Sequence, residues 1–160
     1  MIYEKVISVV DFFDTFTDGN IVLIHGCNCM HTMGGGLARV ISSKYPQAYQ
    51  ADLKTVNGDP KKLGNISVAR LNDAKTVINC YTQYNCGDGK LTRYTSYDAV
   101  DRSLQKVKKY CLENNINNVA VPAKIGCMLG GGCWKIIKAI IESNLDDTDE
   151  LIIWMCHYEK

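Results

Sequence analysis

Apolar residues along the chain alternate between two periods. Ile21-Val22-Leu23-Ile24 is a short continuous run of β-formers after the turn Asp18-Gly19-Asn20. Comparable runs are Thr76 to Tyr81, Asn118 to Val121 and Leu151 to Met155. Unbroken apolar strands are what a sheet covered on both faces requires. Ile66 to Leu71 predicts an additional strand, and Tyr3 to Val10 predicts the one that opens the sheet. Between these runs the period becomes helical. Tyr97, Val100, Leu104, Val107 and Cys111 form one stripe, with Asp101, Arg102, Gln105, Lys106, Lys108 and Lys109 off it. Leu37, Val40, Ile41 and Tyr45 form a shorter stripe that Pro46 ends, and Trp134, Ile137, Ile140 and Ile141 form a third. Strands alternating with helices predict a single three-layer α/β/α domain around a mostly parallel or mixed sheet.

Composition narrows this picture. At 160 residues the chain suits one domain over residues 1–160 with a real core and no need of staples. Charge is nearly balanced, 18 Lys+Arg against 17 Asp+Glu. That removes the simplest argument for nucleic-acid binding, a strongly basic surface. The unusual number is 8 cysteines. In a small secreted domain an even count reads as a disulfide framework. Here Met1 to Phe16 carries Glu4, Asp11 and Asp14 without a signal-peptide pattern, and no apolar run is long enough to span a membrane. The expectation is a cytoplasmic chain, away from membranes, with mostly free and buried thiols such as Cys80 and Cys156.

Candidate chemistry concentrates in two strand-to-helix turns. The first runs Ile24-His25-Gly26-Cys27-Asn28-Cys29-Met30-His31-Thr32-Met33-Gly34-Gly35-Gly36-Leu37. The second runs Pro122-Ala123-Lys124-Ile125-Gly126-Cys127-Met128-Leu129-Gly130-Gly131-Gly132-Cys133-Trp134. Each leaves a predicted strand, crosses a triple glycine and enters a predicted helix. Glycine lets backbone approach a ligand closely, and helix N-termini offer unpaired N–H groups to anions. Ligands of open α/β sheets bind at the carboxyl ends of strands. Two such loops on one edge suit the two phosphates of a diphosphate.

Common alternatives fail on spacing. Gly126 to Gly131 has the P-loop interval, but Gly132 stands where lysine is required. Gly34 and Gly36 lack the third glycine of the dinucleotide fingerprint, since Arg39 stands there. Six residues after Cys27, Cys29 and Cys127 come Met33, Gly35 and Cys133, so no cysteine-phosphatase loop is present. Cys27-x-Cys29, even with His25 and His31 nearby, is a weak zinc signal, and no metal or cofactor is implied.

With these two loops, and with Lys44-Tyr45-Pro46, Thr76-Val77-Ile78-Asn79 and Tyr97-Asp98-Ala99, the chain resembles the macrodomains, ADP-ribose-binding modules of α/β/α fold. The resemblance covers nearly the whole chain. It is to the branch of yeast-type ADP-ribose-1″-phosphate phosphatases, many phage and bacterial macrodomains, and a cellular ADP-ribosyl-glutamate hydrolase. It implies ADP-ribose or its 1″-phosphate as ligand, with ADP-ribosylated protein or nucleic acid as the wider alternative. A phage-encoded chain would then act in its host's cytoplasm.

The resemblance also implies roles for residues. Asp11, at the end of the first strand, would hold the adenine amino group, and the Phe12 N–H would contact the base. Gly26, Cys27 and Asn28, then Gly34, Gly35, Gly36 and Leu37, would face the distal ribose and phosphates. Ile125, Gly126, Cys127, Met128, Leu129 and Gly130 would form the second phosphate loop, and Thr82, with Gln83 and Tyr84, would border the ribose pocket. Asn28 or His31 would orient the attacking water, with His31 as candidate general base. Cys27, Cys29 and Cys127 fall on ligand-facing loops. The chain departs from the glutamate-hydrolysing pattern: Tyr94, beside Arg93, stands at the lysine position and Gly130 at the aspartate position. Cys133 stands where relatives often carry Asp, and Met128 where many carry Gly. These departures favour a non-catalytic reader of ADP-ribose, whereas the likeness of the first loop to the yeast-type phosphatases favours an enzyme that hydrolyses at the distal ribose.

Overall fold

The computed structural model describes residues 1–87 and 92–158. Six strands form one sheet: β1 (Ile2–Val6), β2 (Ile21–Cys27), β3 (Ile66–Arg70), β4 (Lys75–Tyr81), β5 (Asn118–Pro122) and β6 (Ile152–His157). Five α-helices accompany them: α1 (Val9–Thr15), α2 (Gly36–Lys44), α3 (Pro46–Leu53), α4 (Tyr97–Glu113) and α5 (Trp134–Leu145). The strand order is β1-β6-β5-β2-β4-β3. Only β3 runs antiparallel to its neighbour, β4, so the sheet is mixed as the sequence predicts.

Alternation along each strand divides the core into two layers. Val22 and Ile24 of β2, Val119 and Val121 of β5, and Ile153 and Met155 of β6 pack on one face with Leu104, Val107, Ile137 and Ile141 of α4 and α5. Ile21, Leu23, Ala120 and Cys156 pack on the other with Phe13 of α1 and Ile41 of α2. Burying each Leu or Ile side chain is worth about 1.5–3 kcal/mol, so both faces hold the sheet. Cys80 and Cys156 are buried within it, and all eight cysteines are free thiols.

One expectation is corrected and one is extended. The predicted strand Tyr3 to Val10 ends at Val6, and α1 starts at Val9. Ser8 caps that helix, its hydroxyl accepting the Asp11 N–H at 3.1 Å. Val9 and Val10 look like strand residues, but with Phe13 they form the buried face of a helix. Pro46, read as a helix terminator, also opens α3 at its first turn, where a missing N–H costs nothing. The buried residues of α3 are Ala48 and Asp52, a pattern with no apolar stripe for the sequence to show.

The parallel strands β2, β4 and β5 end together at Cys27, Tyr81 and Pro122. Both glycine turns therefore leave the same carboxyl edge of the sheet.

Candidate ligand site

The first loop, residues 28–35, is braced by its own residues. The Asn28 side-chain oxygen accepts the Met30 N–H at 2.8 Å, and its amide donates to the Thr32 hydroxyl at 2.7 Å and the Thr32 carbonyl at 3.0 Å. Outside segments tie down the middle: the Cys29 N–H donates to Tyr84 O at 3.0 Å, and Cys29 O accepts the Gly58 N–H at 2.7 Å. His31 has φ +56, its carbonyl accepts the Tyr49 hydroxyl at 3.0 Å, and its Nε2 lies 3.2 Å from the Thr55 hydroxyl. Gly34, Gly35 and Gly36 then lie exposed, and their N–H groups meet no acceptor among the described residues.

Beneath this loop, Cys27, Cys29, Met33 and Tyr81 pack as a small apolar cluster. The sulfurs of Cys27 and Cys29 thus face the interior, so any part these residues take in a loop that faces ligand falls to their backbone. Burial holds both thiols above the usual range. His25 is buried too, with Nε2 2.6 Å from the Asn79 side-chain oxygen. Burial lowers its pKa to about 4, so it is a neutral structural imidazole. Among the described residues no group of three His, Cys, Asp or Glu side chains is placed to hold a metal.

The second loop, residues 123–133, is braced differently. The Gly132 N–H closes it onto Gly126 O at 2.8 Å. Lys124, Gly126 and Gly131 take left-handed conformations, with φ +62, +73 and +70. The backbone N–H groups of Gly126, Met128, Leu129 and Gly130 have no acceptor among the described residues. Thr95, which the sequence did not single out, supports the loop from below: its hydroxyl donates to Gly126 O at 2.7 Å. Ile125 is buried, Cys127 half-buried, and Met128 and Leu129 exposed. Burial raises the Cys127 thiol to about 11. Cys133 is exposed, and its N–H donates to the Tyr97 hydroxyl at 3.0 Å.

The loops meet. Leu129 Cδ1 lies 3.1 Å from the place a Cβ on Gly35 would occupy and 3.5 Å from that on Gly36. Two sets of unspent N–H groups therefore lie on loops that meet, and neither loop contains an acidic residue. That combination receives an anion without carboxylate repulsion.

Other predicted residues land nearby or elsewhere. At Gly26 a Cβ would come 2.8 Å from the Thr82 hydroxyl, so this strand end needs glycine. Thr82 is buried, and its hydroxyl has no partner among the described residues. Gln83 turns its amide to Asn85 O at 2.8 Å. Leu37 is half-buried on α2 and packs against the α1–α3 layer. Asp11 is exposed in the first turn of α1, not at a strand end. The Phe12 N–H donates to Ser8 O at 3.0 Å inside that turn, so it is spent and is not free for a base. The Phe12 ring packs against Phe16 and Trp154, at 5.7 and 5.3 Å between centroids.

An α/β/α domain that gathers two glycine loops at the carboxyl edge of a mixed sheet belongs to the ligand-binding open-sheet folds. Within that class, the chain belongs to the macrodomain family: the profile of the Macro domain matches residues 24–141. It is 30% identical over 148 residues to an uncharacterized 17.5 kDa protein of Enterobacteria phage T4, covering 89% of this chain and 91% of that one. It is 29% identical over 143 residues to the ADP-ribose 1″-phosphate phosphatase of Lodderomyces elongisporus, covering 83% and 86%. A solved protein of unknown function from Bacteroides thetaiotaomicron superposes with a TM-score of 0.82 at 24% identity, covering 98% of each chain.

Proposed function

We propose that the protein binds ADP-ribose or ADP-ribose-1″-phosphate in a cleft between these two loops and hydrolyses the ligand at its distal ribose. The observation that carries the reading is the pair of touching glycine loops with unspent N–H groups at Gly34–Gly36 and at Gly126, Met128, Leu129 and Gly130. The likeness to a yeast enzyme named ADP-ribose 1″-phosphate phosphatase supports the same reaction class. Release of a 1″-phosphate needs an in-line water and donors for the charge developing on the leaving group. Loop N–H groups supply the donors, and His31 is the imidazole on the first loop that can take the water's proton. The free thiols accord with action in a reducing cytoplasm.

A second reading, a non-catalytic reader of ADP-ribose, draws on two observations. The Asn28 amide is fully engaged within its own turn. A Cβ at Gly130 would lie 2.2 Å from the Thr95 hydroxyl, so the loop as built has no room for a carboxylate there. Calorimetry with ADP-ribose tests the shared claim, and absence of heat at millimolar ligand removes both readings. Phosphate release from ADP-ribose-1″-phosphate then separates them: turnover marks the enzyme, and binding without turnover marks the reader.

A further inference from the structure

We propose that Thr95 is the positioning residue of the second loop, holding its N–H groups in the arrangement that receives the ligand's phosphate. The inference rests on the reading of the cleft as an ADP-ribose site. The unspent donors begin at Gly126 and end at Gly130, with only the Cys127 N–H between them tied back to Lys124 O at 2.9 Å. Thr95 grips both ends. Its hydroxyl donates to Gly126 O at 2.7 Å, and its own N–H donates to Gly130 O at 3.0 Å. Each carbonyl also takes a second donor: Gly132 N–H at 2.8 Å on Gly126 O, and Tyr94 N–H at 2.9 Å on Gly130 O. A carbonyl has two lone pairs, so both oxygens are fully engaged. The negative ends of these two peptide dipoles are turned to the protein, and an approaching anion meets N–H groups instead.

Steric fit points the same way. A Cβ on Gly126 would lie 3.1 Å from Thr95 Cγ2, and one on Gly130 would lie 2.2 Å from Thr95 Oγ1. The two glycines bracket this threonine, and its side chain occupies the space theirs would take. Thr95 is itself fixed. It is 1% exposed, bridges to Gln83 beyond β4, and is followed by Ser96, whose N–H donates to Thr82 O at 2.8 Å. A strut just ahead of α4, pinned to the segment that follows β4, thus sets the loop that follows β5.

The test compares Thr95→Val, which keeps the shape but removes the hydroxyl, with Thr95→Ser, which keeps the hydroxyl. Each is titrated with ADP-ribose by calorimetry and by backbone amide NMR. Thr95→Val is expected to weaken binding by about tenfold and to blunt ligand-induced shifts at Gly126–Gly130 while those at Gly34–Gly36 persist. Thr95→Ser is expected to bind within about twofold of wild type, because it restores a donor to Gly126 O. Loss of melting temperature with an unchanged second-loop response in Thr95→Val marks a merely structural role and overturns the inference. If Thr95→Val does not fold, Thr95→Ser still decides: wild-type affinity and second-loop shifts support the hydroxyl, and a tenfold loss overturns it. If wild type does not bind ADP-ribose, the reading of the cleft has failed; binding that survives Thr95→Val sinks only the role of Thr95.

Discussion

The two glycine loops look alike in sequence and are braced by different means. The first carries its own side-chain brace, three hydrogen bonds from Asn28 to residues two and four positions on, besides its ties to Tyr49, Gly58 and Tyr84. Its cysteines point inward and pack with Met33 and Tyr81. The second has no such internal side-chain brace. It leans on Thr95 and Tyr94, and exposes Met128, Leu129 and Cys133. A triple glycine therefore says that backbone comes close to something, without saying what holds it there.

The largest effect is expected at the second loop. Gly130→Asp introduces a Cβ 2.2 Å from the Thr95 hydroxyl and 2.7 Å from Gly126 O, so it displaces the hydrogen bond that joins them. Overpacking of this kind costs about 1–3 kcal/mol, and the loop must be rebuilt, so ADP-ribose affinity should fall by about a hundredfold or more. Calorimetry and thermal melting of the variant measure both; near-normal affinity would show that the loop is soft and the comparison mistaken.

Asn28→Ala should act on the first loop alone. Removing this internal brace leaves the Met30 N–H and Thr32 without their partners, at a cost of about 1–3 kcal/mol. Binding should weaken by about tenfold, while amide shifts at Gly126–Gly130 on ligand addition persist. If the chain turns over ADP-ribose-1″-phosphate, saturated Asn28→Ala should do so at the wild-type rate, since the amide is occupied in the turn. A collapse of the saturated rate would instead give Asn28 a role in the reaction.

Beneath the first loop, His25 makes stability depend on pH. Its pKa falls from an ordinary 6.5 to about 4 on folding because burial disfavours the cation. Between those values the unfolded chain binds more protons, so stability rises with pH and is lost as pH falls from 6.5 toward 4. The loss is on the order of 2–3 kcal/mol. Urea melts at pH 7.5 and 4.5 should show it in wild type and much less in His25→Gln; equal slopes would contradict the assignment.

The smallest effect is on the cysteines. Under native conditions an aromatic disulfide reagent should modify exposed Cys86 and Cys133 promptly, and leave Cys27 and Cys29 untouched until unfolding. Mass mapping after brief labelling reads this directly; early reaction at Cys29 would mean that the first loop opens more readily than its bracing implies.

Much of this architecture is legible in the pattern of residues. The runs at Ile21–Ile24, Asn118–Val121 and Leu151–Met155 are strands because both faces of the sheet are covered, and the stripe from Tyr97 to Cys111 is α4. The misses have physical causes. Val9 and Val10 carry β-branched side chains on a helix capped by Ser8, so propensity pointed one way and packing the other. The buried polar residue of α3, Asp52, is paired with Lys62 at 3.0 Å, and a charge satisfied across the fold leaves no apolar signature. At the ligand site, the glycines announce themselves and Asn28 sits inside its own turn. Thr95 lies 31 residues from the Gly126 carbonyl it holds, and only the tertiary fold sets the segment ahead of α4 against the loop after β5.

The central claim is that backbone N–H groups of both loops take the ligand's phosphates. Titration of isotope-labelled protein with ADP-ribose, followed by amide NMR, tests it most directly. The account predicts the largest shifts together at Gly34–Gly36 and at Gly126, Met128, Leu129 and Gly130. Shifts confined to one loop, or centred away from the carboxyl edge of the sheet, would contradict it.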